Sequence, residues 1–382
     1  KKLAAGRGPW SLALSPDGSA LAVTNTYSHL TGFRKPLLSE VTMIDTSRAV
    51  VRGRWMVDGA NLMMGVAWHP SGDYALATLN RTKTLIPMTR LLQGWTITNG
   101  LGVIWKDGTV DQVLLDEPGM GFADATGVDI TPDGRYALVT SSGNNRVAVV
   151  DCARLAALLK AASPERRRTV IPNHLGQASA FVTRFIPVQD SPRGVVVAPG
   201  GAVAYVANSI DDSLSVIDLK TLSAAGRIDL GGPKVITKER MGEKLFHNAK
   251  ISFRRQFSCH SCHPDGHVDG LVYDIEADGI GVSPVENRTL RGILDTAPFK
   301  WEGTNPTLQR QCGARLSIFF TRNLPFTAEE LSALDAYITT IPRPPNRYFT
   351  PGTKYTPAQR RVTAIFERTV TNDGRPTPQQ GQ

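Results

Sequence analysis

Cys259, Cys262 and His263 stand in the spacing C-x-x-C-H. Two thiols three residues apart, followed at once by an imidazole, suit one chemistry. Each thiol adds across a vinyl group of a porphyrin, and the imidazole takes the iron as proximal ligand, as in attachment of a c-type haem. The polar run at residues 264–270 suits an open loop beside a cofactor. A zinc reading competes, with Cys259, Cys262, His263 and His267 as four ligands. Zinc ligands usually come as two pairs separated by a longer loop, so that a tetrahedron closes. Here all four donors lie within nine residues, and two of them are adjacent. One covalent haem c, with His263 on its iron, is the preferred reading.

Such a turn needs helices around it. Residues 239–246 have helical spacing and lead toward the pentapeptide. Thr327 followed by Glu330 is a capping box, and Leu331, Leu334, Tyr337, Ile338 and Ile341 follow at helical intervals until Pro342 stops the helix. Thr356-Pro357 opens another helix, with Pro at its first position.

Ahead of this region the periodicity is two. Residues 8–18, 65–72, 127–134 and 194–201 each run from a strand into a Pro-containing, Gly-ended turn, followed by alternating apolar residues at 20–23, 74–77, 136–139 and 204–208. A third strand ending in Asp follows at residues 41–45, 147–151 and 214–218. Strand-rich units repeating at this spacing mark a β-propeller, with loops inserted between blades. Four blades are countable, fewer than the usual ring, so the expectation is part of a larger ring. Residues 151–191 form the longest insertion, with a short helix at 153–160 that Ser163-Pro164 ends. Gly231-Gly232-Pro233 marks the change of periodicity. The expected division is a propeller over 1–233, an all-α haem domain over 234–346, and a C-terminal helix and tail over 347–382 that begins a second cytochrome domain.

The composition narrows the class. The chain has 382 residues and a formal net charge of +9, with basic residues scattered apart from Arg166-Arg167-Arg168. No nucleic-acid motif accompanies the charge. No apolar stretch is long enough to span a membrane. The charge suits a solvated surface and haem propionates, or steering of an acidic redox partner. The sequence opens at Lys1-Lys2 inside what reads as folded chain, so a leader would have been removed. Covalent haem implies an extracytoplasmic location, periplasmic or extracellular. There a disulfide between Cys152 and Cys312 would persist, although a buried free thiol suits each equally. His29, His69 and His174 read as hydrogen-bonded structural histidines.

The repeats resemble the YVTN-type propeller units of secreted and periplasmic bacterial proteins, most closely at residues 205–208. Residues 242–345 resemble one domain of the bacterial di-haem cytochrome c peroxidase superfamily. The matching pieces are Gly242 with Leu245-Phe246, Ser252, residues 258–263, Asp269-Gly270, Asn287-Arg288-Thr289-Leu290 before Gly292, and Phe299-Lys300-Trp301-Glu302-Gly303. The resemblance implies a porphyrin packed on the helix around Leu245 and Phe246. Arg254, Arg255, Arg288 and Arg291 are candidate propionate partners. Trp301 is a candidate to stack near the ring or donate its indole N–H to a propionate, and is expected to be largely buried.

The sixth iron ligand is where the family pattern breaks. No methionine follows the haem turn, and the distal histidine expected near residues 277–281 is missing. His247 and His267 are the nearest imidazoles, Cys312 and Lys300 are further candidates, and an open five-coordinate iron is the alternative. Three functions stay open: an electron-transfer cytochrome whose propeller docks partners or completing subunits, a peroxidase-type enzyme, and a non-catalytic propeller scaffold. A peroxidase needs a distal acid or base. Glu276, Asp278, Glu286 and Glu302 are available, and nothing in the sequence places one over the iron.

Overall fold

The computed structural model describes residues 2–31, 35–84, 86–93, 95–274, 284–344, 355–370 and 374. Residues 1–342 form one compact unit and residues 343–382 a second.

The first unit begins with four antiparallel sheets. β1 (Pro9–Leu14), β2 (Ala20–Asn25), β3 (Leu38–Asp45) and β4 (Val50–Asp58) make the first sheet. The second holds β5 (Ala60–Asn61), β6 (Val66–Trp68), β7 (Tyr74–Thr82), β8 (Ile97–Trp105) and β9 (Val110–Leu114). β10 (Ala125–Ile130), β11 (Tyr136–Ser141), β12 (Arg146–Asp151) and β13 (Val182–Pro187) form the third. The fourth is β14 (Pro192–Val197), β15 (Val203–Asn208), β16 (Ser213–Asp218) and β17 (Ser223–Asp229). These are propeller blades, and the repeat is exact at its turns. Gly18, Gly72, Gly134 and Gly201 all take positive φ, between 68° and 75°. Each donates its N–H over 2.8 Å to the carbonyl three residues back. Only glycine takes that conformation without strain.

Apolar side chains between blades make the core. Ala22, Val41, Val66 and Ala77 fill the space between sheets one and two. Leu76, Leu101, Val128 and Val150 fill that between two and three, and Leu138, Val149, Val197 and Val206 that between three and four.

The insertion at residues 151–191 differs from expectation. It lies within the third blade, between β12 and β13, rather than between blades. α1 (Cys152–Ala161) is followed by α2 (Pro164–Thr169), which Ser163 caps by accepting the Arg166 N–H. Ser163-Pro164 therefore starts a helix as well as ending one. Ile171, Ala178 and Phe181 are buried in the core, which holds the insertion against the sheet. Of the basic run, Arg167 pairs with Asp111.

The helical part follows. α3 (Lys238–His247) is capped by Thr237, and α4 (Cys259–Cys262) is a single turn. α5 (Leu308–Cys312) and α6 (Ala314–Leu316) lead to α7 (Ala328–Thr340), whose Thr327–Glu330 capping box forms as the sequence indicates. α3 packs on α7 around Phe246, Leu334 and Ile338. In the second unit, α8 (Pro357–Phe366) carries the expected cap at Thr356. The tail beyond it, apart from Gly374, lies outside the described residues.

Cys152 is buried in the propeller core and Cys312 packs in the helical cluster. Both are free thiols. His29 binds Glu40 at 2.8 Å, and His69 lies 3.0 Å from the Gly134 carbonyl and stacks on Tyr74.

Candidate haem site

Ser258 and Ser261 shape the attachment turn. The Ser258 N–H donates to the Ser261 hydroxyl at 2.9 Å, and the two residues form a capping box around α4. Both hydroxyls then donate to one propeller carboxylate, Asp124, over 2.6 Å and 2.5 Å. Asp124 precedes β10 and is buried. A second propeller residue grips the far side of the turn. Arg193, on β14, donates to Asp265 at 2.7 Å and to His260 Nε2 at 3.0 Å. Further hydrogen bonds run from Asn61 to the Asp269 carbonyl and from the Thr96 N–H to Gln256 Oε1, each 3.1 Å. The propeller is thus part of the wall of this site.

The turn offers a donor set that fits a c-type haem. The His263 ring is half-buried, with Nδ1 3.2 Å from the His267 carbonyl. A carbonyl only accepts, so Nδ1 carries the proton and Nε2 keeps its lone pair for a metal. Burial of the ring lowers its pKa to about 4, so the imidazole is neutral. Burial raises both Cys259 and Cys262, which keeps them as thiols. Cys262 donates to Tyr273 Oη at 3.3 Å, and Tyr273 donates on to Asp269 at 2.5 Å. Asn287 completes this network by donating to Asp269 and to the Cys262 carbonyl. Burial pushes Asp269 up to about 6, against the pull of Tyr273. Asp269 and Asn287 are pieces of the sequence pattern, and their work is to fix the backbone around Cys262.

The other candidates fall in different places. His267 meets the His263 ring through its backbone carbonyl, and its own ring Nδ1 is 3.0 Å from Thr289 Oγ1. His247, at the end of α3, packs against His260 with ring centroids 4.7 Å apart and reaches Tyr337 Oη at 3.4 Å. Its Nδ1 is buried without a partner among the described residues, and burial lowers its pKa to about 3. Cys312 shares an apolar cluster with Cys259, and burial lifts its thiol to about 12. Lys300 lies on a turn with φ 76°.

Arg288 lies over the Trp301 ring at 3.3 Å, and Trp301 donates its indole N–H to the Glu286 carbonyl at 3.1 Å. Trp301 is about half exposed, contrary to the expectation of burial, because a guanidinium rather than a core covers its face. Arg291 donates to the Asp265 carbonyl, while Arg254 donates to the Pro118 carbonyl at 3.1 Å. Glu286 and Glu302 are exposed. Residues 277–281, Glu276 and Asp278 lie outside the described residues. Among the described residues, no three His, Cys, Asp or Glu side chains converge to hold a metal ion, so the zinc reading gains no support.

Asp124, Arg193, Tyr273 and Asn61 do not stand out in the sequence. The one available signal was the pair of hydroxyls at 258 and 261, which need an acceptor but do not say which.

Residues 237–344 match the family model for di-haem cytochrome c peroxidase. Over 214 residues the chain is 26% identical to hydrazine synthase subunit beta of Kuenenia stuttgartiensis, covering 55% of this chain and 53% of that protein. Over 139 residues it is 30% identical to subunit gamma, covering 34% and 39%. The chain therefore spans about half the length, or less, of the curated relatives it matches. A solved structure of Kuenenia stuttgartiensis hydrazine synthase superposes with a TM-score of 0.52 at 22% identity, over 56% of this chain and 60% of that one, which is a likeness of fold. Four propeller-type blades are here joined to a segment, residues 237–344, that matches the model of the di-haem cytochrome c peroxidase family.

Proposed function

We propose that this protein is an extracytoplasmic c-type cytochrome of bacterial type. One haem is held covalently by Cys259 and Cys262 and ligated by His263, and electrons pass through it. The bound haem supplies one-electron redox chemistry. The propeller, over residues 1–233, is the docking platform, and the haem domain extends over 234–346. The observation that carries this reading is the His263 ring. Its Nδ1–H is committed to the His267 carbonyl, which leaves Nε2 for a metal on the residue directly after Cys262, the buried second thiol of the pair. The chain's residues orient the imidazole, hold the thiols protonated until they react, and fix the turn through Asp124 and Asn287.

The relatives are named as subunits of hydrazine synthase. By that analogy this protein works beside other subunits in a complex.

The test is direct. The protein, produced with covalent haem attachment, is run on a denaturing gel and stained for haem. It is expected to retain haem, and Cys259→Ala with Cys262→Ala to lose it. Loss of all stain from the unaltered protein would leave only the scaffold reading.

The family match at residues 237–344 favours a second reading, a peroxidase-type oxidoreductase. An EPR spectrum separates the two. Low-spin iron inert to cyanide and peroxide supports electron transfer, whereas high-spin ferric iron with peroxide turnover supports the peroxidase.

A further inference from the structure

A groove of about 620 Å³ opens where the propeller loop carrying Met120 meets the segment before the haem turn. Three cations line it: Lys250, Arg254 and Arg255, all exposed. No carboxylate lines it among the described residues. Glu117, on the same loop as Met120, is held by Arg146 at 2.7 Å. Lys250 and Arg255 have no acidic partner among the described residues.

The backbone that presents these charges is unusual. Arg254 and Arg255 are consecutive residues with positive φ, 54° and 52°. That conformation is costly for a side chain with a Cβ, and it persists only where the surroundings impose it. Here the propeller does so. The Gly121 N–H donates to the Arg254 carbonyl at 2.8 Å, and Asn144 donates to the Arg255 carbonyl at 3.3 Å. The groove also connects inward. Phe253, on its wall, packs in one apolar cluster with Phe257 and Cys262. Ser252 bridges the same short loop, accepting from the Phe257 N–H at 3.1 Å. Leu324, next in sequence to the lining residue Asn323, is 86% exposed.

We propose that this groove is the docking surface for an acidic protein redox partner, whose carboxylates meet Lys250, Arg254 and Arg255 beside the haem turn. The proposal rests on the electron-transfer reading. One electron passes between the partner's redox group and the haem iron, so that one is oxidised as the other is reduced. Charges at such a surface set encounter rates more than affinity, and small interfaces are typical of electron-transfer encounters.

Small redox ions test it on the haem-loaded protein. The reduced haem is oxidised by hexacyanoferrate(III), an anion, or by hexaammineruthenium(III), a cation. The hexacyanoferrate rate is expected to fall as salt rises. Lys250→Glu with Arg255→Glu is expected to lower it about tenfold at low salt and to raise the hexaammineruthenium rate. A charge-matched control, Arg184→Glu with Lys220→Glu on the third and fourth blades, is expected to leave both nearly unchanged. Poly-L-glutamate should slow hexacyanoferrate in the unaltered protein and not in the groove variant. Equal effects from groove and control variants, or no inhibition by poly-L-glutamate, would overturn the proposal. A protein that carries no covalent haem would instead refute the cytochrome reading on which it rests.

Discussion

Asp124 accepts the Ser261 hydroxyl at 2.5 Å across 137 residues of sequence, from a propeller blade into the middle of the C-x-x-C-H turn. With the Ser258 hydroxyl on its other oxygen, one carboxylate accepts from both serines of the turn, one before Cys259 and one between the two cysteines. The blade and the haem turn are therefore one structural unit. Two hydrogen bonds to a buried carboxylate are among the stronger kinds.

Asp124→Ala removes the carboxylate that accepts from both buried hydroxyls. The expected cost is about 2–4 kcal/mol. Asp124→Asn keeps one acceptor and should lose less. Thermal denaturation measures the cost, and limited proteolysis within residues 258–270 should accelerate in the alanine variant. Equal protection of this segment in variant and parent would contradict the interlock.

Gly242 lets α3 and α7 touch. A Cβ at this position would run into the Ala333 carbonyl oxygen on α7 and come within 2.7 Å of the Tyr337 Cβ. Gly242→Ala gains helix propensity, worth about 1 kcal/mol. Overpacking outweighs it, at about 1–3 kcal/mol or more where backbone is struck. A lower Tm is expected, together with a changed environment for Tyr337, which lies 5.3 Å from Phe246 between ring centroids.

Asp116 gives the protein an unusual pH dependence. It is fully buried and accepts the N–H groups of Asn99 at 2.5 Å and Phe122 at 2.7 Å. Burial outweighs these donors and pushes its pKa up to about 7. In the unfolded chain the value is about 4. Between these limits the folded protein holds a proton that the unfolded chain has released. Its contribution to stability is therefore complete below about pH 4 and is lost as pH rises through 7. The slope is at most about 1.4 kcal/mol per pH unit. Asp116→Asn should flatten that part of the profile, measured as unfolding free energy against pH, while lowering stability overall because an amide cannot accept on both sides.

The features that were legible in the sequence are those set by local chemistry. Gly18, Gly72, Gly134 and Gly201 announce their turns because no other residue suits the backbone there. Thr327 and Glu330 announce a helix start because each satisfies the other's neighbouring N–H. Residues 259–263 carry their donors in one turn. What was not legible depends on which surfaces meet. Ser258 and Ser261 ask for an acceptor, and the fold alone determines that it is Asp124. Trp301 looks like a core residue by type, yet Arg288 and the Glu286 carbonyl hold it at the surface. The third blade's insertion reads as a linker because its fourth strand, β13, comes 31 residues after β12 ends.

The two ends of the blade arc carry the last prediction. Leu12 and Leu14 occupy the repeat positions of Val66 and Trp68, Val128 and Ile130, and Val195 and Val197. Val66, Val128, Ile130 and Val197 are 7–8% exposed because the preceding blade covers them, whereas Leu12 and Leu14 are 63% and 57% exposed. At the other end Tyr205, Leu214 and Val216 are half-exposed, while their counterparts Leu138, Val147 and Val149 are fully buried against the next blade. Internal repetition therefore sets these two faces apart from the equivalent faces that are buried between blades. Burial of each leucine is worth about 1.5–3 kcal/mol. Leu12→Asp with Leu14→Asp should lower the Tm of the native protein or its assembled fraction in sedimentation, while the haem spectrum stays the same. Unchanged Tm and sedimentation would mean that the first blade meets water in the working protein, and that the arc is left open.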